Sequence, residues 1–312
     1  MASPAAPRPP TIDPRAAARW LRAAPPATPW LHEEIGRRME DRLQWIRHAP
    51  EAWADWAPMR GGQNAHGLVT QRYPKAACFV VESTPGHQAA ARERLARPSW
   101  SPRRWLGAPL AFEAPPPGGV QMLWSNMALH LAADPGALIR QWQTALATGG
   151  FLMFSCLGPD TLRELRALYA ALGWPAPGHE FTDMHDWGDM LVEAGFAEPV
   201  MDMERIVLTW ETPQALLAEL RELGRNFHPQ RATGLRGRGW YSRLCAALAA
   251  RLADASQGGR LALTFEVIYG HAFKAAPRVP LAARSEVSVD EMRELLRQRK
   301  TGGVAPGHEP EV

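Results

Sequence analysis

Val120-Gln121-Met122-Leu123-Trp124 and Phe151-Leu152-Met153-Phe154-Ser155-Cys156-Leu157 are short, largely apolar runs. Runs of this length and composition are the pattern of strands buried on both faces of a parallel sheet. Between them Leu138, Trp142 and Leu146 recur on one helical face, and Gly149-Gly150 is expected to terminate that helix. Strand, helix and strand in succession form a βαβ unit, so the fold is expected to be α/β with a largely parallel sheet. Ala76 to Glu82 (Ala-Ala-Cys-Phe-Val-Val-Glu) is a third run of the same kind, ending in an acid.

Towards the amino terminus, Ala52-Trp53-Ala54-Asp55-Trp56-Ala57 reads as a short strand. Gly61-Gly62 and a helix from about Asn64 to Arg72 follow it. The first ordered element is expected to be a helix over about 31–47, where Leu31, Ile35, Met39, Leu43 and Ile46 form one stripe. Arg37, Arg38, Asp41 and Arg42 are expected to face water. Towards the carboxyl terminus, Asp160 is placed to cap a helix carrying Leu162, Leu165, Tyr169 and Leu172. A glycine- and proline-rich loop at 173–182 leads to a helix from Asp183 to Gly195 and a strand at about 203–210. Helices near 213–224 and 240–253, joined by an arginine-rich connection, form an insert over about 212–256. A last strand runs from Arg260 to Tyr269 and on towards Phe273. The organisation expected is a flexible arm over 1–12, one domain over 13–275 and an extension over 276–312.

The chain has 312 residues, 46% hydrophobic and 21% charged, enough to bury a full core. A net charge of +3 is too small to argue for nucleic acid. Cys78, Cys156 and Cys245 lie far apart with no metal-ligand spacing, which points to a reducing cytoplasm and no structural zinc. No stretch approaches the roughly 18 uninterrupted apolar residues of a membrane span, so no membrane partner is expected. Thirteen tryptophans against four tyrosines are read as core or lid packing. Only Arg103-Arg104-Trp105, with Trp100 nearby, mixes base and ring, too small a cluster for a nucleic-acid platform.

Several segments together resemble one family. Trp124-Ser125-Asn126-Met127-Ala128-Leu129-His130 is similar to the segment after the fourth strand of malonyl-carrier-protein O-methyltransferases of biotin synthesis. Ala147-Thr148-Gly149-Gly150-Phe151-Leu152-Met153-Phe154-Ser155 resembles their Gly-Gly turn and fifth strand. Pro159 to Leu165, Leu220 to Asn226 and Leu263 to His271 match in the same order, from about Asp13 to Lys274 in all. The resemblance implies a doubly wound, mostly parallel, seven-stranded class I methyltransferase sheet, with an amino-terminal helix and a helical insert before the last strands. It also implies S-adenosylmethionine as cofactor, a malonyl group on acyl carrier protein as substrate and partner, and methylation of the free carboxyl.

In that fold the cofactor lies over a loop after the first strand whose glycines admit close backbone approach. Placing Asp55 at the loop's acid puts Ala57, Met59 and Gly61 at its glycine positions. An alternative register uses Gly61-Gly62 for the close approach and Arg60 for the cofactor carboxylate. The resemblance makes Glu82, ending the second strand, the ribose ligand, and Asn126 a contact to the methionine moiety or the substrate. Gln121 stands where the family has an acid. Asp55, Gly61, Gly62, Glu82 and Asn126 are therefore the expected cofactor residues, and His130 is assigned no catalytic role. Arg221, Arg225, Arg231, Arg236, Arg238 and Arg243, with His228, give the insert a local basic excess. Arg225, His228, Arg236 and Arg238 are the expected substrate residues, since guanidinium forks suit a carboxylate. Methyl transfer to an ionised carboxylate needs no general base, in keeping with the lack of a nucleophile or metal motif. A second reading stays open: a non-catalytic scaffold of the same fold, in which the altered glycine loop no longer takes the cofactor.

Overall fold

The computed structural model describes residues 12–96 and 108–276. Trp100, Arg103, Arg104, Trp105, the arm before 12 and the extension after 276 lie outside the described residues. The strands are β1 (Ala52–Trp56), β2 (Ala77–Val81), β3 (Leu110–Ala111), β4 (Val120–Ser125), β5 (Leu146–Leu157), β6 (Phe196–Trp210), β7 (Ala253–Asp254) and β8 (Arg260–Lys274). Seven of them follow the order β3-β2-β1-β4-β5-β8-β6, with the two-residue β7 paired to β8. The first five are parallel to one another, and β8 runs antiparallel to β5 and β6. The order winds outward in both directions from β1 and β4. This pair is the switch point, and open α/β sheets bind ligands at its carboxyl edge.

The helices are α1 (Pro14–Ala23), α2 (Trp30–Arg42), α3 (Pro58–Gly61), α4 (Gln63–Arg72), α5 (Pro85–Leu95), α6 (Pro135–Ala145), α7 (Arg163–Ala171), α8 (Met184–Glu193), α9 (Pro213–Leu223) and α10 (Arg238–Arg251). Alternation along β4 explains its continuous apolar run. Met122 and Trp124 join one core with Leu31, Ile35 and Met39 of α2, Val69 of α4 and Ala91 of α5. Leu123 joins the opposite core with Ile139 and Trp142 of α6 and Trp187 and Leu191 of α8. Burying a side chain such as Ile35 or Leu191 contributes about 1.5–3 kcal/mol.

Five local expectations are corrected. α1 precedes the helix expected to be first. Asp13 caps it by accepting from the N–H of Arg15 at 2.8 Å and Ala16 at 3.2 Å, and it buries only Ala17 and Trp20, too thin a stripe to read. That next helix, α2, ends at Arg42 rather than about 47. Gly149-Gly150 does not end α6. It forms a bulge inside β5, where pairing with β4 jumps from Val120↔Leu146 to Met122↔Phe151 and Gly149 has φ +78°. Asp160 does not cap α7, which begins at Arg163 after a left-handed Leu162; its carboxylate instead takes Arg205 at 2.8 Å. Arg38 and Arg42 do not merely face water. They pair with Glu204 at 3.0 Å and Asp202 at 2.7 Å, fastening α2 to β6.

The insert leaves the sheet after Trp210 and returns at Leu261, and these two residues pair directly in the β6–β8 ladder. It carries α9 and α10 over the carboxyl ends of β4 and β5.

Candidate functional site

The sheet brings Asp55, Gly61, Gly62, Glu82 and Asn126 together at the carboxyl ends of β1, β2 and β4. Asp55 is buried, and its Oδ2 lies 2.7 Å from His66 Nδ1 on α4. Burial pushes its pKa up, opposed by the hydrogen bond from His66. After Trp56 the chain does not form an open loop. Ala57 takes a left-handed conformation, φ 64°, and Pro58–Gly61 close into the single turn α3. The Met59 side chain is fully buried. Gly61 lies so close to the loop after β4 that a Cβ on it would stand 2.7 Å from the Asn126 carbonyl oxygen.

Glu82 points inward. Its Oε1 accepts from the Met59 N–H at 2.8 Å, while Oε2 has no hydrogen-bond partner and stands 3.7 Å from His87 Nδ1. Burial pushes the carboxyl up to about 7. Asn126, also buried, spends its whole amide internally: Nδ2 donates to the carbonyls of His32 at 2.7 Å and of Gly61. Its Oδ1 accepts from Ser155 Oγ at 2.5 Å. Glu33 of α2, unforeseen in the sequence, supplies the cap that Gly62 cannot. Its carboxylate accepts from the N–H of Gln63 at 2.9 Å, Asn64 at 3.1 Å and Ala65 at 3.3 Å. Arg60 turns away from this cleft and donates to the carbonyls of Ala27, at 2.7 Å, and Glu222.

The other half of the site is a cavity of about 290 Å³ beneath the insert. Its floor is His130, Leu157, Thr161 and Phe265, and its roof includes Leu220, Trp240 and Leu244. Arg166, Arg221 and Arg225 line it with His130 and His179, and among the described residues no Asp or Glu does. Arg166 donates to the Thr161 carbonyl at 2.5 Å, and Arg225 to the Gly224 carbonyl at 2.8 Å while lying 4.5 Å over the Trp20 ring. His179 stacks on Phe227 at 5.3 Å, and its ring makes no more than a marginal hydrogen bond, to the His130 backbone. Burial holds its pKa down at about 4 and holds His130 well below the usual range, so both rings are neutral at pH 7.

Of the four expected substrate residues, Arg225 alone lines this cavity. His228 is engaged locally, its N–H donating to Asn226 Oδ1 at 2.8 Å and its Nδ1 accepting from Gln230 at 3.0 Å. Arg236 lies 4.1 Å over the ring of Trp240, a roof residue, and Arg238 opens α10; neither lines the cavity and both are exposed. His179, Thr161 and Arg166 were missed: the loop and helix that carry them meet the insert only in the folded chain.

Strand order and switch-point cleft together give the class I methyltransferase fold. Sequence similarity narrows the class. The chain is 39% identical over 289 residues to the malonyl-[acyl-carrier protein] O-methyltransferase of Laribacter hongkongensis, spanning 90% of this chain and 92% of the relative. It is 36% identical over 257 residues to that of Gallionella capsiferriformans, spanning 80% and 86%. This chain belongs to the malonyl-[acyl-carrier protein] O-methyltransferase family. No family model matches it. Among solved structures, the YcgJ protein of Bacillus subtilis aligns over 78% of this chain and 99% of its own at 12% identity, with a TM-score of 0.48.

S-Adenosylmethionine, the methyl donor that the class implies, does not fit the turn after β1 as it stands, although Glu82 also lines an open cavity of about 730 Å³. Asn126 ties the loops after β1 and β4 together, Met59 packs into the core, and Glu82 already accepts from the Met59 N–H. The first amides of α4 already hold Glu33.

Proposed function

We propose that this protein methylates the free carboxyl of a malonyl group carried on acyl carrier protein, the reaction of biotin synthesis for which its relatives are named. The observation that carries the acceptor side is the cavity beneath the insert, lined by three arginines and two histidines and, among the described residues, by no acidic one. A carboxylate entering it loses water and gains the field of the guanidinium groups, which are strongest in a site of low dielectric. The carboxylate is ionised at neutral pH, so no residue has to remove a proton before its oxygen attacks. What the protein supplies is alignment and exclusion of water by the leucine-rich roof. The basic face of the insert suits an acidic carrier protein, with Arg221 and Arg225 at the cavity and Arg236 and Arg238 outside it. Among the described residues no helix is long and apolar enough to cross a membrane. The reading places the protein in the cytoplasm with its carrier.

Incubating the protein with malonyl-carrier protein and S-adenosylmethionine tests it. A carrier mass increased by one methylene is the expected product, and an unchanged carrier at high enzyme concentration sinks the proposal. The self-closed cleft favours a second reading, a scaffold that holds the malonyl carrier without turnover. There the carrier binds, no ester forms and S-adenosylmethionine gives no saturable titration.

A further inference from the structure

We infer that Glu33 is an internal occupant of the methionine end of the donor cleft, competing with the donor's own carboxylate for the amino terminus of α4. The inference rests on the methyl-transfer reading of the cleft and concerns which group sits there first.

The first amides of a helix have no partners within it and carry the positive end of its dipole, so they attract an anion. In α4 the preceding Gly62 offers no side chain to cap them. A carboxylate from α2 does so instead, receiving three consecutive N–H groups. The space above Gly62 is closed by side chains: a Cβ there would lie 3.4 Å from Glu33 Oε2 and 3.5 Å from Asn126 Nδ2. Any carboxylate approaching this turn must displace Glu33.

The exchange swaps one carboxylate for another beside Asp55 and Glu82. Glu33 repels the Asp55 carboxylate, Asp55 in turn repels Glu82, and burial already penalises both. The incoming carboxylate restores the charge that Glu33 withdraws, so the exchange gains only the ammonium that accompanies it. Glu33 and the donor's carboxylate therefore compete for the same three amides. The wild-type chain gains little from the amino-acid half of any nucleoside ligand, because forming the new contacts breaks the old ones.

Calorimetric titration of the full chain with S-adenosylhomocysteine and with 5′-methylthioadenosine, which lacks the amino-acid carboxylate, tests this. Wild type is expected to bind the two weakly and within about twofold of each other. Glu33→Gln, which keeps the side chain's length and removes its charge, is expected to bind S-adenosylhomocysteine about 10-fold more tightly and methylthioadenosine unchanged, as charged hydrogen bonds predict. Glu33→Ala is expected to move the preference the same way, and urea midpoints establish that both variants are folded. A strong wild-type preference for S-adenosylhomocysteine that either folded variant leaves unchanged or reduces overturns the inference and leaves methyl transfer standing. Absence of binding by either nucleoside to all three proteins overturns both.

Discussion

Asn126 and Ser155 meet at 2.5 Å, the serine hydroxyl donating to the amide oxygen. Ser155 lies in β5 and its Oγ also accepts from the Met127 N–H at 3.1 Å, while the Asn126 Nδ2 grips the carbonyls of Gly61 and His32. One carboxamide thus joins β5, the loop after β4, the turn after β1 and helix α2, with no polar atom left over. The amide holds the cleft's walls together.

Removing that amide should be expensive. Asn126→Ala leaves two carbonyls and a hydroxyl unsatisfied in a buried place, at about 1 kcal/mol or more for each. A loss of about 3 kcal/mol, read as a lower urea midpoint with unchanged slope, is expected. A variant as stable as wild type would show that the bridge contributes little.

The turn after β1 predicts opposite effects for two glycine–alanine exchanges. Ala57 has φ 64°, a conformation costing a residue with a Cβ about 1 kcal/mol, so Ala57→Gly should stabilise the protein by up to that amount. Gly61→Ala drives a Cβ against the Asn126 carbonyl and should destabilise it. Thermal midpoints moving in the same direction for both would contradict the geometry.

Glu82 makes stability fall with rising pH. Its carboxyl is pushed up from 4.5 to about 7 in the folded protein, so the native state holds the proton more tightly than the unfolded chain. The contribution is complete below about 4.5 and is lost as pH climbs through 7, at most about 3 kcal/mol. Glu82→Gln, which can still accept from Met59, should flatten this limb in urea titrations from pH 4.5 to 8. A limb of the same slope in the variant would place its origin elsewhere.

His179 has the opposite sign. Its pKa falls from 6.5 to about 4, so its contribution is complete above 6.5 and is lost as pH falls towards 4. Buried beside Phe227 and Phe181, with no more than a marginal hydrogen bond to the His130 backbone, it is a polar group held at a cost. His179→Phe should stabilise the fold by about 1 kcal/mol and weaken binding of malonyl-carrier protein. If carrier affinity survives the exchange, the imidazole does not touch the acyl group.

The sheet was legible because its central strands are buried on both faces and therefore uniformly apolar, as in β4 and β5. α1 and α5 were not, because alanines supply much of their buried surface and leave no strong stripe: Ala17 with Trp20 in one, Ala90 and Ala91 with His87 in the other. Gly149-Gly150 carried the right residues for a terminator, yet the bulge that uses them is defined by pairing across to Gln121 and Met122. At the site, the family resemblance pointed to Asp55, Gly61, Glu82 and Asn126, which the fold brings to one edge of the sheet. Their partners Glu33, His32 and Ser155 lie 29 to 94 residues from the groups they bind, where no local pattern reaches. Electrostatic occupancy of a cleft is a property of folded distance, and the arginine run of the insert illustrates this: equally basic in sequence, Arg225 and Arg238 end on different surfaces.

The pairing of Trp210 with Leu261 makes the whole insert a cassette spliced into the tip of a hairpin. Its two ends emerge from adjacent rungs, so a segment of different length or sequence can be exchanged there without disturbing the register of β6 on β8. On the proposed function, exchanging this roof for another would reshape the acceptor cavity without touching the donor cleft. Grafting the insert of a relative between these two residues is the shortest engineering route to a changed acyl preference.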